Sequence, residues 1–100
     1  MMTEYAPPPP PAVKRKQHSW TLDDNRAVRD EFIKAGCKVL QQNDPVVKGL
    51  SRRLGIKVGS ISLKMSNFKY LETKGKEGKS QYSNGAKIVW DEYLRNEGIP

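Results

Sequence analysis

Apolar residues recur at helical spacing in four separate stretches of the chain. Leu22, Val28, Phe32 and Ile33 approximate one stripe, which predicts a helix from about Leu22 to Ala35. Thr21 is a good N-cap for it, Asp24 completes an acidic form of the capping box, and Asp23 and Asp24 suit the positive end of the helix dipole. Gly36 is the expected stop. Cys37 to Asn43 connects onward, with room for an extra turn. Asp44-Pro45 opens a second helix, with Asp as N-cap and Pro at the first helical position. Val47, Leu50 and Leu54 follow at i, i+3 and i+7 and face the core, and Gly55 ends the helix in a tight turn. The third helix runs from Val58 to Leu71 with Ile61, Met65 and Phe68 as its inward stripe. A fourth begins between Ser80 and Asn84. Its Tyr82, Ala86, Val89, Trp90 and Tyr93 recur at helical spacing and are expected in the core, and Gly98 closes it. The expected fold class is all-α, a bundle of about four helices.

Two stretches fall outside this pattern. Residues 1–18 form a Pro-rich basic tail, expected to be disordered: Pro7 to Pro11 is an unbroken proline run without amide donors, and Lys14, Arg15 and Lys16 follow. That places the domain at residues 19–100. Residues 72–79, ETKGKEGK, hold two glycines, three lysines and no apolar residue, which reads as a mobile basic loop.

Composition narrows the function classes. No apolar run approaches the roughly 20 residues that span a bilayer, and no apolar segment follows the N-terminal charges, so neither a membrane segment nor a secretory signal is expected. Cys37 is the one cysteine, which rules out a disulfide framework within the chain and suggests a cytoplasmic location. Its expected state is a half-buried thiol with no special chemistry. His18, in the tail, is the one histidine. With no cluster of metal ligands or paired carboxylates, the expectation is no catalytic residue, no metal, no cofactor and no small-molecule substrate.

The net charge of +7 is segregated. Residues 45–80 carry nine cations against Glu72 and Glu77, an excess equal to the whole net charge. They also hold the second helix, the tight turn and the third helix. This is the layout of a helix-turn-helix, which places its second helix in the major groove of DNA. At about 100° per residue the face opposite Ile61, Met65 and Phe68 carries Gly59, Ser60, Leu63, Ser66, Asn67 and Tyr70, small and polar for most of its length. Ser60, Leu63, Lys64 and Asn67 are the candidates for base contact. Asn67 suits bidentate pairing with adenine and Leu63 a thymine methyl; a hydrogen bond within the fold is the other role open to Asn67. Lys48, Arg52, Arg53, Lys57, Lys69, Lys74, Lys76 and Lys79 are the candidates for phosphate contact. In a winged variant of the motif, residues 72–79 would hold the wing.

Trp20-Thr21 with acids behind it, Asn43-Asp44-Pro45, Leu50-Ser51-Arg52-Arg53-Leu54-Gly55 and the run from Gly59 to Phe68 follow one another in a specific order. Gly78-Lys79-Ser80 and an amphipathic helix with Trp90 complete it. This order resembles the N-terminal helix-turn-helix domain of a group of bacterial and phage HNH endonucleases, over about Trp20 to Tyr93. The Trp-Thr opening is shared with Myb-like domains, whose tryptophan spacing is missing here. Lys57-Val58 stands where that family has a Thr-Pro pair, so the third helix starts without a side-chain cap. The histidines and asparagine of an HNH site are absent. The resemblance therefore implies double-stranded DNA binding by the specificity module, without cleavage, in a small transcriptional or replication regulator of phage or mobile-element origin. Two alternatives carry the same residues: a protein-interaction module, such as a phage inhibitor of a host protein, and the DNA-targeting subunit of a separate nuclease. A homodimer is left open, since no heptad or exposed apolar stripe names an interface.

Overall fold

A computed structural model describes residues 20–98, so the tail with Lys14, Arg15, Lys16 and His18 lies outside the described residues. Four helices form: α1 (Leu22–Lys34), α2 (Pro45–Leu54), α3 (Val58–Glu72) and α4 (Asn84–Asn96). Among the described residues there is no strand, so the fold is all-α and residues 72–79 do not make a β wing.

The helix ends follow from local chemistry. The Thr21 hydroxyl accepts from the Asp24 amide at 3.0 Å, and the Asp24 carboxylate accepts from the Thr21 amide at 3.1 Å, closing a capping box. At the other end of α1, Gly36 (φ 79°) and Cys37 (φ 57°) turn left-handed while their amides bond back to Ile33 and Phe32. The connector from Cys37 to Asn43 holds one hydrogen-bonded turn, the Asp44 amide donating to the Gln41 carbonyl at 3.0 Å. The Asp44 carboxylate accepts from the Val46 amide at 2.8 Å and Pro45 opens α2. Gly55, at φ 70°, stops α2 in the left-handed conformation that glycine adopts without strain. Lys57 starts α3 with no side-chain cap, and Ser83 caps α4 by accepting from the Ala86 amide.

Helices α1, α2 and α3 pack on one another, and α4 lies against α1 and α3 without touching α2. Thus α3 is the central element. Val28, Phe32, Val47, Leu50, Ile56, Ile61, Met65, Phe68, Ala86, Val89 and Trp90 form the core. At its centre Phe32, Phe68 and Trp90, one from each of α1, α3 and α4, stand 5.9–6.1 Å apart between ring centroids, within the range of favourable aromatic pairs. Ile56 in the turn is 1% exposed and plugs the space between α2 and α3. Leu22, expected in the α1 stripe, is instead 40% exposed, because the core begins one turn further on. Asn25 takes the buried place, its Nδ2 donating to the Thr21 carbonyl at 2.9 Å. Tyr82 also sits at the surface, stacked on Tyr70 at 6.0 Å.

The seam between α1 and α4 is ionic at its edge. Glu92 accepts from Arg26 at 2.9 and 3.0 Å and from Arg29 at 3.1 Å. Arg29 also donates to the Val89 carbonyl at 2.8 Å. The two guanidiniums, hydrogen-bonded to the carboxylate, hold Glu92 well below the usual carboxylate range, at about 2.

Two stability predictions follow from this packing. Phe68 is fully buried in the triad, so Phe68→Ala should lose about 3–5 kcal/mol in denaturant unfolding, much of the stability of so small a domain. Glu92, with its folded pKa lowered, stabilises the fold above its unfolded value near 4.5, and that contribution disappears as pH falls toward 2. Glu92→Gln should therefore be less stable than the wild type at pH 7, with the gap narrowing across that window when both are unfolded in parallel. A gap independent of pH would place the effect elsewhere than in the carboxylate.

Candidate nucleic-acid interface

The outer face of α2, the turn and the exposed part of α3 form one surface. Helix α2 buries Val47 and Leu50 and half-buries Leu54, which leaves Lys48, Arg52 and Arg53 in solvent. Arg52 and Arg53 lie in its last turn, where cations also favour the negative end of the dipole. Lys57 is exposed at the start of α3. None of Lys48, Arg52, Arg53, Lys57, Lys74, Lys76 and Lys79 has an acidic partner among the described residues. Lys38 and Arg95 have none either. By contrast Arg26, Arg29, Lys34 and Lys87 all meet acids on their own helix or across the α1–α4 seam.

The candidate base contacts divide into two groups. Leu63 is 51% exposed and Ser60 half-buried, both beside Gly59. Lys64 and Asn67 are corrections to the sequence reading. Lys64 is 6% exposed, its Nζ 3.1 Å from the Ser83 hydroxyl and 4.4 Å from the centre of the Trp20 ring. Burial pushes its pKa below the usual lysine range. Asn67 is 5% exposed and its Nδ2 donates to the Lys79 carbonyl at 3.0 Å. In both cases the segment before α4 covers a sector of α3 that a three-helix motif would leave open. Lys69 is a third correction: its ammonium is held in the fold by the Cys37 carbonyl at 3.0 Å and by Glu72 at 3.3 Å.

The covering segment is residues 73–83. The sequence suggests a mobile loop, but its path is tied to α3. The Lys79 amide donates to the Ser66 carbonyl, the Gly75 amide to the Tyr70 carbonyl, and the Thr73 hydroxyl accepts from the Glu77 amide. Gly78 (φ 90°) packs directly on the α3 backbone, where a Cβ would collide with the Ser66 carbonyl and the Tyr70 amide. Lys74, Lys76 and Lys79 are exposed on this loop.

The open part of α3 is therefore its N-terminal half. Here Gln42, Ser51, Lys57, Val58, Gly59, Ser60 and Leu63 line one shallow hollow. Sequence reasoning did not single out Gln42. It lies in the connector before α2, and no local pattern shows that this connector folds against α3. The Ser62 hydroxyl, donating to the Leu40 carbonyl at 2.9 Å, makes that contact.

Among the described residues no group of three His, Cys, Asp or Glu side chains stands ready for a metal ion. Burial pushes the half-buried Cys37 thiol above its ordinary range, which disfavours the reactive thiolate. No described helix is long and apolar enough to cross a membrane. Compared with protein-family models, curated proteins and solved structures, the chain matches none.

The burial of Asn67 changes what its removal should do. Asn67→Ala should cost about 1–2 kcal/mol of stability through the lost hydrogen bond and the space left behind. It should also speed hydrogen exchange at the Lys79 amide, the next bond holding the loop. A substitution that leaves the melt unchanged and alters preference at one base pair would return Asn67 to the reading face.

Proposed function

We propose that the chain binds double-stranded DNA through the surface made by α2, the Gly55–Lys57 turn and the N-terminal half of α3. The observation that carries this reading is the division of the charges. The cations of α1 and α4 are mostly spent on acids, while Lys48, Arg52, Arg53 and Lys57 on one side of α3, and Lys74, Lys76 and Lys79 on the loop, have no acidic partner among the described residues. Such a field attracts a polyanion over about a Debye length. The spacing supports the reading too: from Gly59 to Tyr70 the α3 axis rises roughly 16 Å, comparable with a major groove about 12 Å wide between its phosphate walls. One cation group lies on α2 and at the start of α3, and the other on the loop tied to Ser66 and Tyr70 in the C-terminal half of α3. The helix-turn-helix order and the resemblance to the DNA-binding domains of HNH endonucleases point the same way, and a regulator of transcription or replication is the role that fits binding without cleavage.

Burial of Lys64 and Asn67 favours one second reading. With fewer polar groups left for base edges, the same cation field also suits an acidic protein surface, as in an inhibitor of a host protein. Duplex binding titrated at two salt concentrations separates the two. DNA binding should weaken steeply with salt, each phosphate contact adding about 0.9 to the slope of log affinity against log salt. Changing Arg52 and Arg53 together to Ala should flatten that slope by roughly 1.8 and weaken all sequences alike. The melt should be nearly unchanged, because both side chains are exposed. Failure to bind any duplex at 50 mM salt would remove DNA as the ligand and leave the protein partner.

A further inference from the structure

We propose that Gln42, outside the helix-turn-helix itself, reads an adenine in the bound DNA, with Leu63 meeting a thymine methyl beside it. The assignment holds only if the chain binds duplex DNA as proposed above. Three observations lead to it. First, the two α3 side chains best suited to hydrogen-bond a base edge, Lys64 and Asn67, are buried in other contacts. Second, the connector before α2 is fastened to α3 by the bond from Ser62 to the Leu40 carbonyl, and this sets Gln42 over Gly59. Its Nε2 and Oε1 lie 3.6 and 3.7 Å from the point where a Cβ on Gly59 would stand, which places the carboxamide over the first turn of α3. Third, Gln42 is exposed, shares a hollow with Lys57, Ser60 and Leu63, and its carboxamide has no hydrogen-bond partner among the described residues. Gln41 and Asn43 are exposed as well but do not line the hollow.

The chemistry fits the place. A carboxamide offers one donor and one acceptor side by side, matching N7 and the N6 amino group of adenine in the major groove, while an apolar side chain matches the C5-methyl of thymine.

The test starts from duplexes selected by the full chain from a random pool, with affinities measured against a scrambled duplex at fixed salt. Gln42→Ala should lower affinity for the selected site about 5- to 150-fold and leave the scrambled duplex and the melt unchanged. Replacing the assigned adenine by 7-deazaadenine, which lacks the N7 acceptor, should weaken the wild type and not affect Gln42→Ala. Gln41→Ala and Asn43→Ala should retain the preference. If Gln42→Ala keeps the full preference while loss of Arg52 and Arg53 still weakens binding, Gln42 is not the reader and DNA binding stands. A wild type that binds duplexes without preference overturns the assignment in the same way. A wild type that binds no duplex overturns both readings together.

Discussion

The meeting of Phe32, Phe68 and Trp90 governs the rest of the molecule. Three rings from three helices fill the centre of a domain too small to hold a second core. To place Phe68 there, α3 must run through the middle, with α1, α2 and α4 all packed against it. A helix so enclosed cannot offer a whole face to solvent. Polar residues on that face and beside it then need partners inside. Lys64 finds the Trp20 ring and the Ser83 hydroxyl, and Asn67 finds the Lys79 carbonyl. Both satisfy the demand that buried polar groups be bonded, and both bind the segment before α4 to α3.

The same economy separates the charges. Glu92 gathers Arg26 and Arg29 at the α1–α4 seam, with Asp23 and Asp30 completing the network. Lys87 meets Asp91 along α4. With the acids occupied there, few remain near α2 and the loop, where the cations are exposed. Charge pairing therefore holds two helices together on one side of the domain and leaves an unbalanced positive field on the other. An interface for a polyanion needs that field to be both exposed and unneutralised.

Residues 73–83 join the two roles. Their exposed lysines extend the field, while Gly78 and the bonds to Ser66, Asn67 and Tyr70 fix their path on α3. The loop's position is thus a consequence of the core and not an independent appendage. It also sets the limit of the open α3 surface, which ends near Leu63 beside the hollow where Gln42 lies.

The sequence by itself determined the four helices, most of their ends and the inward stripe of α3, because these depend on local terms: caps at Thr21 and Asp44, left-handed turns at Gly36 and Gly55, and the spacing of Ile61, Met65 and Phe68. The charge excess of residues 45–80 was legible in the same way, as a matter of counting. Which side of α3 stays open was decided only by the tertiary structure. Burial of Lys64 and Asn67 and the tethering of Lys69 rest on bonds to segments 12 to 32 positions away in the chain, and so does the placing of Gln42 over Gly59 through Ser62 and Leu40. A periodic pattern describes a helix against one imagined neighbour; α3 has neighbours on nearly every side, and their number and direction are properties of the packing alone.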